Sequence, residues 1–311
     1  MVFSSTARVI SALFVFLITL EVNASDSYQF LGAATYSDIG IADGSGQRFG
    51  LSAQAYWEPV KLDGSTPFGS ANFYQRVSRV SASVSEQRLS DLRQVRSGRV
   101  LNESDSDVKA AHLRLATKHL PVWAELSYMR FDGSDDYSDG LTFDFDSSTA
   151  KQYGLGFFIT DDTALSVSYL DAVPKGFGFE LSHLYRMQAD MFLEFSLAYR
   201  DLEYERSVLV VGNNTVRNAA IDLSGNGYVA GARVSFSPMP ALQLSMAYQK
   251  LDGAYLGAQF IRQLGASWWF AKHFAVSVYY QDLDYGGAET DPGAAYYFID
   301  AQTGLSLSAY F

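Results

Sequence analysis

The residues that end the chain, Gln302-Thr303-Gly304-Leu305-Ser306-Leu307-Ser308-Ala309-Tyr310-Phe311, alternate with a period of two. Leu305, Leu307, Ala309 and Phe311 share one side, and Gly304, Ser306, Ser308 and Tyr310 share the other. That is the pattern of a strand with one apolar face and one small or polar face. An edge strand of a soluble sheet alternates in the same way, so what decides the fold is whether the preceding chain repeats it.

It does. Fourteen strands are predicted, at 28–36, 48–57, 72–83, 108–118, 122–131, 151–159, 164–171, 176–186, 191–204, 228–237, 242–250, 257–270, 274–283 and 302–311. Their lengths bracket the roughly 9–11 residues that a tilted strand needs to cross a bilayer. The connections alternate as well. Tight turns at 119–121, 160–163, 187–190, 238–240 and 271–273 have one long companion, at 59–70. Between them come polar loops at 37–47, 84–107, 132–150, 205–227 and 285–301, with shorter ones at 172–175 and 251–256. Short turns on one rim and long loops on the other characterise membrane-spanning barrels, and an even strand number returns the chain to the side where it began. The expected fold is all-β: an antiparallel up-and-down transmembrane β-barrel of about fourteen strands, with short periplasmic turns and long extracellular loops.

Composition agrees. Aromatics make up 15% of the chain, with 20 Tyr, 22 Phe, 25 Gly and only 7 Pro, which suits aromatic girdles and close strand packing. There is no cysteine, so stability has to come from a closed sheet or a large core rather than from disulfides. At the start, Arg8 precedes an apolar run, Val9 to Leu20, and then Val22-Asn23-Ala24. This reads as a signal peptide over 1–24, leaving a barrel over 25–311. Arg8 and Glu21 leave together, so the net charge stays at −11.

The two faces differ in chemistry. Leu242, Leu244, Met246 and Tyr248 oppose Gln243, Ser245, Ala247 and Gln249, and Phe274, Val276, Val278 and Tyr280 oppose Ala275, Ser277, Tyr279 and Gln281. Apolar sides against lipid leave polar sides around a hole, whereas in a sandwich the apolar sides would face each other. Aromatics near the short-turn ends (Trp57, Trp123, Trp268, Trp269, Phe270, Phe274) point to lipid, because Trp and Tyr gather at membrane interfaces. Arg on the lipid face costs about 2–4 kcal/mol at mid-depth, so charged strand residues are expected to turn inward. Extending the parity assigns Arg48, Arg76, His112, Arg114, Glu125, Glu180, Glu194, Arg200 and Arg233 to the lumen, while Arg262 and Gln75 break it. These groups either form a charged eyelet that orients solutes or pair across strands and hold the wall together. Fourteen strands at about 4.8 Å spacing and roughly 40° tilt give a backbone diameter near ~28 Å, and about 16 Å after inward side chains are subtracted.

Two loops stand out. Ser85 to Gly98 places Leu89, Leu92 and Val95 at spacing three beside Arg88, Arg93, Arg96 and Arg99. It reads as a short amphipathic helix that either folds into the mouth as a basic constriction, binds lipopolysaccharide phosphates, or stays solvated. Asp132, Asp135, Asp136, Asp139, Asp144 and Asp146 form an acidic loop without the spacing of a helix–loop–helix calcium site. No G-x-S-x-G or H-E-x-x-H constellation occurs, and an acidic chain lacking a basic stripe does not suit nucleic acid. No enzymatic activity, metal or cofactor is expected.

The signal segment, the 63–69 stretch Asp-Gly-Ser-Thr-Pro-Phe-Gly leading into 71–83, and the closing Leu305–Phe311 alternation together resemble the porins of Gram-negative Proteobacteria. The resemblance covers the whole mature chain. It implies an outer-membrane location, passive diffusion of small hydrophilic solutes or ions, and insertion by the barrel-assembly machinery, with Leu305, Leu307, Ala309 and Phe311 as the assembly signal. Ala309 stands where many such strands carry Tyr. The expected partners are outer-membrane lipid and lipopolysaccharide, the assembly machinery and small polar solutes, with an oligomer possible. The alternative is a closed barrel acting through its extracellular loops as a structural or surface-interaction protein.

Overall fold

The structure is a computed structural model that describes residues 26–41, 44–90, 95–96, 99–137, 142–172, 174–204, 207–210, 219–222, 225–253, 257–284 and 299–311. The predicted signal peptide, Arg93 and Asp139 lie outside these residues. Fourteen long strands are present: β1 Ser27–Ile41, β2 Gly44–Lys61, β3 Arg79–Ser90, β4 Arg99–Thr117, β5 Leu120–Tyr137, β6 Thr142–Thr160, β7 Thr163–Asp171, β8 Gly176–Gln188, β9 Met191–Tyr204, β10 Gly225–Met239, β11 Leu242–Gly253, β12 Gly257–Ala271, β13 Phe274–Asp284 and β14 Ile299–Tyr310. Every neighbouring pair is antiparallel. The circle closes where β1 pairs β14, with Leu31 opposite Tyr310 and Tyr36 opposite Leu305. Beyond β14 the Phe311 carbonyl accepts the amides of Gln29 and Phe30 at 2.6 and 2.8 Å, so the chain's end completes the β1 ladder. Closure satisfies the backbone without a sheet edge, which a strand structure in hydrocarbon requires.

The outer face carries the apolar set. Phe30, Val84, Leu126, Leu155, Val167, Phe179, Leu197, Met246, Leu264, Val278, Leu305 and Leu307 are exposed around the whole circumference. On a soluble protein this would be an aggregating surface; on a barrel it is the lipid belt. Leu155, 64% exposed, lies five residues from the end of β6, about 13 Å up a strand tilted by ~40° and so near mid-membrane. Leu155→Arg is expected to destabilise the inserted barrel by about 2–4 kcal/mol, measured by urea unfolding in vesicles. An outcome within experimental error of wild type would contradict the membrane placement.

The short turns are tight, as at Asp161-Asp162 and Lys272-His273, while the other rim differs from expectation. The predicted loop at 84–107 is largely strand: Glu86 pairs Asp107 and Leu89 pairs Ser104. Within 132–150, Asp135 pairs Phe143 and Arg130 pairs Thr149. Polar composition marks these stretches as wet, but hairpins extending beyond the membrane are wet too, and their ladders satisfy the backbone equally well. Among the described residues the helix expected over Ser85 to Gly98 is not formed, for the same reason: 85–90 continues β3 and Val95–Arg96 pairs back onto Arg99-Val100. The predicted strand at 72–83 fails in the opposite direction. Phe68–Ser70 and Ala71–Tyr74 form one short helical run, and β3 begins only at Arg79.

Candidate functional site

The long connection between β2 and β3, residues 62–78, is the one short-rim connection that does not return directly. Asp63 starts it by accepting the Ser65 amide at 2.9 Å, and hydrogen bonding from the Ser65 side chain, with that amide second, holds the Asp63 carboxyl below its ordinary pKa. Pro67 then sets an extended approach to the helical run, supplying the fixed φ that suits its first turn.

From there the segment crosses the barrel. The Phe68 amide donates to the Pro240 carbonyl between β10 and β11 at 3.0 Å, and its ring meets Trp269 of β12 edge-on. Gly69 sits where a Cβ would lie 2.8 Å from Gln243 Oε1 and 3.0 Å from the Trp269 ring, so a side chain here would have to push the Gln243 amide aside and crowd the indole. The Ser70 hydroxyl donates to Glu194 Oε2 of β9 at 2.7 Å, and the Tyr74 hydroxyl donates to Oε1 at 3.3 Å. Phe73 packs against Trp123 of β5 and Phe158 of β6. Arg76 leaves the run at φ 56°, an uncommon conformation for a non-glycine residue. Its guanidinium lies over the Phe158 ring and pairs with Asp161 at 2.7 Å. Ser78 then donates to the Ala116 carbonyl of β4 at 2.7 Å. Arg186 of β8 donates to the Ser65 carbonyl at 2.8 Å. One short peptide is thus fastened to strands on nearly every side of the short-turn mouth.

Most of the buried apolar residues gather here. One cluster joins Tyr28, Tyr56, Val60, Leu62, Ala71, Val77, Trp269 and Tyr310, and a second joins Tyr74, Trp123, Phe158, Ala164, Leu184 and Phe192. Two members of the expected aromatic girdle are therefore corrected. Trp57, Trp268 and Phe270 face outward, but Trp123 and Trp269 are buried inside against the crossing segment. Strand parity alone allowed this, since Trp123 lies on the Glu125 side of β5 and Trp269 on the Ser267 side of β12.

Above the segment the interior is polar and holds three adjoining cavities. The one resting on the segment, 160 Å³, is lined by Gly69, Ser70, Glu180, Ser182, Glu194, Ser196, Arg233, Ser235 and Gln243. A 60 Å³ cavity between Phe73, Trp123, Glu125 and Glu180 links it to a 260 Å³ one around Gln152, Ser168, Glu180 and Arg200.

The sequence-derived lumen residues occupy the inward face with one exception. Arg48 donates to Gln87 at 2.5 Å, His112 Nδ1 meets Ser127 Oγ at 2.8 Å, and Arg200 donates to Gln152 and Ser168 at 3.0 and 3.2 Å. Arg114 is 2% exposed, with its guanidinium between the rings of Phe73 and Trp123, and its Nε lies 3.6 Å from Glu125 Oε1. Glu125, Glu180, Glu194 and Arg233 surround the cavities. Arg76 is the exception: it belongs to the crossing segment and not to a strand wall. Because β3 starts after the helical run, the inward arginine of that strand is Arg79, opposite Arg114, and the sequence parity passed over it. Arg88 is also corrected. It shares the outward face of β3 with Val84 and pairs with Glu86 and Asp105, away from the bore. Arg96 and Arg99 lie on the small hairpin beyond it. Arg262, which broke the parity, points outward near the long-loop rim, where Asp282 and Asp284 neutralise it at 3.5 and 3.2 Å. Gln75 is off-strand and exchanges two hydrogen bonds with the Lys61 backbone. Sequence reasoning missed Ser70, Phe73 and Tyr74. The available signal was a single long connection on the short-turn rim.

No family model matches the chain, and no curated protein matches its sequence. Among solved structures it is similar to the outer membrane protein Omp33 of Acinetobacter baumannii, at 14% identity and a TM-score of 0.56, covering 92% of this chain and 100% of that one. Looser similarity is found to the Pseudomonas putida toluene transporter TodX, at 10% identity and a TM-score of 0.47 over 93% of this chain and 91% of that one. The KdgM porin gives 10% identity and a TM-score of 0.38 over 90% and 99%. At such identities what is shared is the fold, and that fold is the outer-membrane β-barrel.

Proposed function

We propose that this chain is an outer-membrane channel for small hydrophilic solutes whose periplasmic mouth is held shut by residues 62–78. The observation that carries this is a chamber with a polar floor that ends on a peptide held by isolated hydrogen bonds and packing, not by a β-ladder. Such bonds can be released without opening the wall. Charge-assisted hydrogen bonds contribute about 1.5–3 kcal/mol each, and both hydroxyl anchors converge on one carboxylate, Glu194. Glu194→Ala is therefore expected to raise the open fraction in planar-bilayer recordings at least tenfold while the folded barrel persists on gels run without boiling. A barrel silent both as wild type and as this variant would argue instead for the closed, surface-interacting reading, which the shut mouth also accommodates. Recognition of the Leu305–Phe311 strand by the assembly machinery, and contact of the outer rim with lipopolysaccharide, belong to the same proposal.

A further inference from the structure

The 160 Å³ cavity has a charge arrangement that the wall itself leaves unresolved. Glu194 lies opposite Ser235 on β10, and Arg233 lies opposite Ser196 on β9, so carboxylate and guanidinium are diagonal neighbours on one inward face. Diagonal neighbours are normally within reach of long side chains. Yet Arg233 makes no ion pair among the described residues, because Glu194 is turned down to the Ser70 and Tyr74 hydroxyls. Glu180, one strand further round, accepts the Ser182 hydroxyl at 3.4 Å and forms no salt bridge among the described residues. Two carboxylates and one arginine therefore face the same small cavity from three strands, with no salt bridge between them among the described residues.

A second, independent feature points to an occupant. Ser235 is 3% exposed and Gln243 8% exposed, both line this cavity, and neither side chain has a hydrogen-bond partner among the described residues. Buried polar groups are rarely left unpaired, so something in the cavity is expected to satisfy them. Water can do so, and so can a solute that presents a cationic group to the two carboxylates and an anionic group to the arginine. The cavity adjoins the 60 Å³ one beside it through Glu180 and Ser182, so a small organic solute fits without displacing the wall.

We infer that this cavity is a binding site for a small zwitterion of the α-amino-acid type, with its ammonium between Glu180 and Glu194 and its carboxylate on Arg233. Ser235 and Gln243 complete the hydrogen bonding. The inference deepens the channel reading and rests on it for the route by which solute arrives. A solute seated here touches Ser70 and Gly69, so the site adjoins the barrier itself.

The test uses the full barrel in detergent micelles and ligand-observed NMR titrations with glycine, glycolate and methylamine. Glycine is expected to bind at least tenfold more tightly than either single-charge analogue. Arg233→Met should reduce glycine to the level of methylamine, and Glu180→Gln should weaken glycine several-fold; the unboiled gel band reports that each variant is folded. Methylamine binding as well as glycine would make this a cation site and overturn the inference, as would equal affinity for all three probes. Conductance without glycine preference removes the site and leaves the channel, whereas glycine binding in a barrel that never conducts leaves the site and removes the channel.

Discussion

Replacing Asp63–Gln75 by a flexible linker of about six residues is expected to turn a barrel that conducts rarely into one that conducts continuously. Such a linker reaches about 20 Å, enough to join β2 to β3 along the rim. The substitution removes Phe68, Gly69, Ser70, Phe73 and Tyr74 from the mouth together and leaves every strand ladder intact. Burial of large side chains contributes about 1.5–3 kcal/mol each, so losing Phe68, Phe73 and Tyr74 should destabilise the barrel by roughly 5 kcal/mol. The backbone hydrogen bonds of the closed sheet do not depend on the segment, so the wall is expected to survive. With a bore near ~16 Å the mean current in planar bilayers should rise at least tenfold over wild type, a larger effect than Glu194→Ala produces. Unchanged current from a correctly folded variant would mean that the obstruction lies elsewhere, and the gate assignment would fail.

The second large effect is expected at the seam. Tyr279 of β13 lies flat over Gly304 of β14, and its hydroxyl is held by Ser37 Oγ of β1 at 2.7 Å and by Gln302 Nε2 at 2.9 Å. One tyrosine thus ties the last two strands to the first. A Cβ on Gly304 would overlap Cε1 and Cζ of that ring, and the two hydroxyl bonds prevent the ring from swinging away. Gly304→Val is expected to cost about 1–3 kcal/mol or more through overpacking. At about 2–4 °C per kcal/mol, that lowers the temperature of the heat-induced gel shift by on the order of 5–10 °C. Adding Tyr279→Ser should recover most of the loss, because the two changes share one cause. If the double variant is no better than the single, steric conflict at this site is not the reason.

Some of this was visible along the chain. The alternation in Leu305, Leu307, Ala309 and Phe311 and its thirteen upstream counterparts is a local property of the residues, and it survives whatever the sheet does. Hence the strand number and the outward apolar face could be read directly. Extents at the long-loop rim could not, because polar residues such as Asp132 and Glu86 suit a wet hairpin as well as a loop. The inward set was legible wherever parity ran unbroken from a correct starting point, as at Glu125 and Arg200. It failed at Arg76 and Arg79, where a helical run interrupts the count.

Sequence by itself therefore determined that this chain is a closed antiparallel barrel with lipid outside and polar groups within, because a two-residue period assigns each side chain to a face without reference to any distant residue. Only the tertiary structure decided that 62–78 turns inward, that Trp123 and Trp269 guard it, and that Glu180, Glu194 and Arg233 meet over one cavity. The 62–78 segment, Trp123, Trp269 and the three charged groups come from parts of the chain far apart, although Glu180, Glu194 and Arg233 themselves lie on three consecutive strands. Their meeting follows from the register and closure of the sheet, in which every strand's position depends on all the others.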